Sequence, residues 1–281
     1  MSTIVSKILK RKTSSLALLS LTALSSLAVL TGPVLTGAGV ETANAQGKGK
    51  NAKASACGIR YLPFVEGRTW KYQYVIPPNA TEIEKPLKTK IPETFTITVK
   101  SIEASKGGAT ITLEEKYRDT AFKTVLTCTG DKLVVPLTSF FYLGELPGGL
   151  SMDVSDVAID GPMYPGKGGL KKGVSYFAKI KAKIARPTTG KASAAHLPTT
   201  LEMERQLTVG KKEKVEVEHG LHNAYGVEFA ISGRVSLDLT PDKKVFLPDG
   251  VAKIWFADGI GVVRAYNRME QGWALAEMSD Q

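Results

Sequence analysis

His219-Gly220-Leu221-His222 sets two imidazoles three residues apart, with Glu216 and Glu218 just before them. On a helix that spacing would turn both rings to one side, as a metal site requires. Gly220 and the flanking Val215-Glu216-Val217 argue for strand and turn instead. In that setting the rings converge only in a specially shaped loop, and no cysteine or further histidine stands near. Two turn histidines without a metal are therefore expected. His196, the third histidine, lies in a Ser/Ala/Thr-rich stretch with no evident partner.

Other chemistry is as thinly supported. There is no Gly-x-Ser-x-Gly nucleophile elbow. The glycine-rich runs Gly144–Gly149 and Gly166–Gly169 lack the Lys-Ser/Thr ending and strand-to-helix setting of a phosphate loop. Glu114 and Glu115 are neighbours on a strand, so they face opposite ways and cannot act as a pair. No catalytic residue, metal or cofactor is expected. The aromatics offer more: Trp70, Tyr72 and Tyr74 share one strand face by parity, and with Trp255 they are candidates to line a ligand cleft. Ordinary core is the other reading of all four.

The elements that must position these residues begin after an export leader. Lys7, Lys10, Arg11 and Lys12 precede an apolar run from Leu16 to Leu35, and Ala43-Asn44-Ala45 supplies a small-x-small cleavage box. These are the three parts of a signal peptide over residues 1–45. An uncleaved anchor is the rival, though Ser20, Thr22, Ser25, Ser26, Thr31 and Gly32-Pro33 dilute the run. Nothing later is long and apolar enough for a membrane helix. Cleavage removes four basic residues and Glu41, taking the net charge from +10 to +7. That basic but mixed balance argues against a nucleic-acid binder and leaves weak attraction to anionic envelope polymer open.

Residues 46–58 are rich in Gly, Lys, Asn, Ala and Ser and read as a flexible tether. Cys57 and Cys128 are the only cysteines, and an even pair in an exported chain points to a disulfide. Cys57, in Ala54-Ser55-Ala56-Cys57-Gly58, also reads as a lipoprotein acceptor, in an imperfect box far from the apolar run.

Residues 59–281 read as one antiparallel all-β domain, a sandwich or open half-barrel of roughly a dozen strands with at most one short helix. Strands are expected at Thr69–Ile76, Phe95–Ile102, Ala109–Arg118, from Phe122 to Cys128 and at Leu133–Tyr142. More follow at Val174–Ile184, Thr200–Val209, Lys214–Glu218, Tyr225–Ile231, Val235–Leu239, Val251–Phe256, Ile260–Tyr266 and Trp273–Met278. Phe122, Leu126 and Cys128 share a buried face. Ala257-Asp258-Gly259 makes a hairpin, and Gly144–Gly173 reads as one long irregular segment. Lys179, Lys181 and Lys183 alternate with Ala178, Ile180, Ala182 and Ile184. They look like a comb for a ligand, but a solvated strand face that blocks unwanted pairing explains them as well.

Four separated motifs carry a resemblance. They are Tyr61-Leu62-Pro63-Phe64 through Gly67 and Thr69-Trp70 to Tyr72, and Cys128 followed by Gly130-Asp131. The others are Val209-Gly210 through Val215-Glu216-Val217 to Asn223-Ala224-Tyr225 and Val227, and Trp255-Phe256-Ala257 through Gly259-Ile260-Gly261 to Val263. In that order they resemble a functionally uncharacterised bacterial exported β domain, distantly similar to curved-sheet lipoprotein carriers. The resemblance implies a single antiparallel β domain in the periplasm or at the cell surface, and it carries no catalytic residue. The expected function is a non-enzymatic envelope protein holding a lipid-like apolar ligand or a partner surface in a β cleft. The alternative is a structural or adhesive module touching anionic envelope polymer through its basic face.

Overall fold

Two meanders joined along one seam make the whole sheet. The computed structural model describes residues 57–78, 91–130, 132–146, 153–185, 199–237, 240–268 and 271–280. These belong to one compact unit, Lys50–Gln281. The expected leader, residues 46–56 of the tether, and His196 lie outside the described residues. The first meander comprises β1 (Thr69–Val75), β2 (Thr94–Ser105), β3 (Gly108–Tyr117), β4 (Thr120–Thr129) and β5 (Lys132–Val134). The second comprises β6 (Asp153–Asp160), β7 (Ser175–Ala185), β8 (Thr199–Val217), β9 (Gly220–Leu237), β10 (Thr240–Ala257), β11 (Gly261–Tyr266) and β12 (Gly272–Ser279). Strand β1 pairs antiparallel with β12, which closes the seam and leaves β5 and β6 as the two edges of one open 12-stranded sheet. The sheet is neither a sandwich nor a closed barrel.

Alternation sorts the two faces. In β3, Ala109, Ile111 and Leu113 are buried; in β4, Leu126 and Cys128 follow the same rule. The inner face so formed is covered by chain from outside the sheet: residues 57–64, residues 163–170, and a one-turn helix α1 (Phe140–Leu143) on the link from β5 to β6. All four residues of α1 are buried.

This helix replaces the strand expected over Leu133–Tyr142. Pro136 cannot continue a β ladder, so β5 stops at Val134. Ser139 then caps the turn by accepting from the Phe141 N–H, and Gly144 ends it at φ 70°, donating to the Phe140 carbonyl at 2.7 Å. Two further expectations change. The segment Gly144–Gly173 contains β6, whose alternation is broken by a bulge between Ser155 and Ala158, with Asp156 at φ 48°. The pairs expected at Thr200–Val209 with Lys214–Glu218, and at Tyr225–Ile231 with Val235–Leu239, are single long strands. In β8 the apparent gap is a bulge between Val209 and Lys212. The disulfide is present: Cys57 and Cys128 are bonded with their Cα atoms 5.9 Å apart, pinning the covering segment to β4.

Candidate functional site

Of the four aromatics expected to line a cleft, two are deeply buried on the inner face. Trp70 is 1 % exposed and Tyr72 0 %. Trp70 meets Phe64 and Phe141 edge-on at 6.4 and 6.0 Å, while Tyr72 stacks on Phe95 at 5.0 Å and touches Phe140 at 4.9 Å. Tyr74 is half-buried and packs edge-on against Trp273 at 5.6 Å. Trp255 lies on the opposite face, between Lys253 and Tyr266, and its indole N–H donates to Glu213. The four do not meet around a common space. The protein's own side chains fill the inner face at Trp70 and Tyr72.

The opening and closing sequence motifs instead lock onto each other. Trp70 Nε1 donates to the Ile260 carbonyl at 2.7 Å and the Tyr72 hydroxyl to the Val262 carbonyl at 3.0 Å. Arg68 holds Asp280 with two bonds of 2.6 and 2.8 Å and also reaches the Pro63 and Gly259 carbonyls. These bonds to Arg68 hold the Asp280 carboxyl below its usual pKa. Gly261 sits at φ 108°, and a Cβ there would stand 3.2 Å from Trp70 Nε1, so that position excludes larger residues.

Two charged side chains are also built into the inner face, and sequence reasoning gave them no role there. Glu115 is wholly buried. Its two oxygens accept from Ser139 Oγ at 2.8 Å and from the Phe140 N–H at 3.1 Å, so it anchors α1 to β3. Burial pushes its pKa up against the pull of those donors. Arg205 is 2 % exposed, with its guanidinium 4.4 Å from the Phe229 ring centre and 5.0 and 5.1 Å from Tyr164 and Tyr142. It donates to the Met163 and Tyr142 carbonyls and has no carboxylate partner among the described residues. Burial raises the phenol pKa of Tyr61, Tyr72 and Tyr164, and takes Tyr142 to about 12.

Open space lies on the other face, over β6 to β10. A trough of about 960 Å³ runs across Asp160, Lys179, Lys181, Glu202, Arg234 and Phe246. A second hollow of about 420 Å³ adjoins it, sharing Lys179, Glu204, Ser232 and Asp249 and adding Phe177 and Val251. Three large apolar side chains stand in solvent along these hollows: Phe177 at 63 %, Val251 at 60 % and Phe246 at 77 % exposed. The lysine comb forms part of the wall. Cross-strand register sets Lys179 opposite Glu204 and Lys181 opposite Glu202, with nitrogen–oxygen separations of 3.7 and 3.8 Å. Glu202 is held from its other side by Arg234 at 2.5 Å, and Lys183 donates to Thr200 Oγ1 at 3.0 Å. Such exposed pairs contribute little stability, but they cancel most of the positive field that a comb of free lysines would project.

His219 and His222 are not independent turn residues. The hairpin from Val217 to Gly220 brings His219 Nδ1 to 3.0 Å from His222 Nε2. No group of three or more His, Cys, Asp or Glu among the described residues is placed to hold a metal ion. No helix among them is long and apolar enough to cross a membrane.

No protein-family model and no curated protein matches the chain. Two solved structures are similar to it. One is a candidate exported protein with a YMCC-like fold from Bacteroides fragilis, 14 % identical over 79 % of this chain and 100 % of that one, with a TM-score of 0.46. The other is a candidate lipoprotein from Parabacteroides distasonis, 15 % identical over 79 % and 99 %, with a TM-score of 0.49. At such identity and TM-score nothing about ligand or activity passes from either.

Proposed function

We propose that this is a non-enzymatic protein of the bacterial envelope that holds an apolar, lipid-like ligand in the trough over β6 to β10. One observation supports it above others. Phe177, Val251 and Phe246 are exposed along two adjoining hollows, while the inner face is filled by the protein's own aromatics. Exposed apolar side chains gathered in a depression and rimmed by charge are a common mark of a binding groove. An acyl chain over the three apolar residues would leave its polar end near the Lys179–Glu204 and Lys181–Glu202 pairs. The leader read in the sequence and the disulfide fit an oxidising compartment outside the cytoplasm. The adhesive alternative draws less support, because two of the three lysines it needs, Lys179 and Lys181, face glutamates.

Thermal unfolding of the mature chain with a short-chain diacyl phospholipid, kept below its micelle concentration, tests the reading. Ligand at a hundredfold excess over Kd adds about 2.7 kcal/mol, a rise in Tm of roughly 5–10 °C for a chain this size. The rise should vanish in the Phe177→Ser, Phe246→Ser double variant. No rise, or the same rise in both proteins, would count against it.

A further inference from the structure

The geometry points to His219 and His222 as a two-nitrogen site for a borderline divalent metal ion of the nickel(II) or copper(II) kind, at the tip of the β8–β9 hairpin. The inference is independent of the trough and of any lipid.

The first support is distance. His219 Nδ1 and His222 Nε2 stand 3.0 Å apart. With metal–nitrogen bonds of roughly 2.0–2.1 Å, cis corners of an octahedron or a square are about 2.8–3.0 Å apart, and tetrahedral corners about 3.3–3.4 Å. The nitrogens are spaced for the first kind of edge and fit tetrahedral zinc less well; the rings, with centres 5.1 Å and planes 21° apart, tilt on binding to turn both lone pairs onto one ion. The second support is that the backbone positions both rings. His222 is in ladder register with Val215, and the His219 N–H donates to the Leu275 carbonyl of β12 at 3.2 Å. Gly220, at φ 132°, supplies the sharp turn between them. A site whose donors are held before the ion arrives spends little on ordering them.

The third support is access. Both imidazoles are half-buried, so an ion can reach them from solvent. In the metal-free pair one ring donates its N–H to the other. On binding, the donating ring moves that proton to its other nitrogen, both lone pairs face the ion, and no net proton is released. Water fills the remaining positions, because among the described residues no third side-chain ligand is placed to join. Competition from elsewhere in the chain is small: the protein has three histidines and no free cysteine.

Isothermal titration of the tag-free mature chain with nickel(II) and with copper(II) tests the site, with His219→Asn, His222→Gln and His196→Ala in parallel. Each pair variant should weaken binding at least tenfold, while His196→Ala stays within twofold of the parent. Unchanged Tm values for the variants separate loss of a ligand from loss of the fold. Copper(II) spin resonance should carry the hyperfine pattern of two imidazole nitrogens in the parent and one in either pair variant. Parent affinity no better than that of the pair variants, or a spectrum without two nitrogens, would overturn the assignment.

Discussion

In β3 the apolar phase Ala109, Ile111, Leu113 ends on Glu115, and in β8 the phase Leu201, Met203, Leu207, Val209 is interrupted by Arg205. Both were legible as charges aimed inward, but their partners were not, because these come from a segment far along the chain. Phe177 shows the converse, an aromatic in the phase of Lys179, Lys181 and Lys183. Two predictions belong at this scale. Glu115→Ala strands the Ser139 hydroxyl and the Phe140 N–H in the core and should cost roughly 3 kcal/mol in urea unfolding. Arg205→Met should stay within about 1 kcal/mol of the parent, since an apolar chain of similar length replaces a buried charge without leaving a hole. Arg205→Ala, which leaves one, should cost roughly 3–4 kcal/mol. Equal losses in the two Arg205 variants would mean that the charge itself matters.

Among the elements, strands with plain alternation were readable and interrupted ones were not. β1, β2, β3, β4, β7, β11 and β12 fall within a few residues of where periodicity puts them. β6 and β8 did not, because a bulge in each hides the period; β9 runs unbroken against β8 from Val227 to Leu237, and the break expected in it falls at Ser232-Gly233. α1 was missed because four consecutive apolar residues have no period to read, and only the Ser139 and Gly144 caps mark its ends. The Cys57–Cys128 bond ties the covering segment to β4 across a sequence separation of 71 residues. Paired replacement of both cysteines by serine should lower stability by about 4 kcal/mol in the chain-entropy account, measured as a shift in the urea midpoint. A loss under about 1 kcal/mol would mean that the covering segment is held by packing alone.

Taken whole, the molecule has one face committed to its own core and one left open. Two of the four motifs that carried the sequence resemblance, the opening and the closing one, are the means by which β1 and the β10–β11 hairpin hold each other, which is why they say little about ligands. A cluster of buried phenols also sets the behaviour of the entire fold in alkali. Tyr61, Tyr72, Tyr142 and Tyr164 all have folded-state pKa values raised by burial above the ordinary phenol value. A raised pKa stabilises the fold fully below the unfolded value and less as pH climbs toward the folded one. Stability should therefore be level up to about pH 9 and fall steeply above pH 10, as followed by unfolding midpoints at stepped pH. A flat profile to pH 12 would contradict the buried-phenol core.

Lipid carried on the open face would show in native mass spectrometry of the mature protein, purified from producing cells without detergent. A fraction of molecules should carry one added mass in the range of an acyl lipid, absent from the Phe177→Ser, Phe246→Ser variant. The bare polypeptide mass alone in the parent, or an adduct that survives both substitutions, would contradict it.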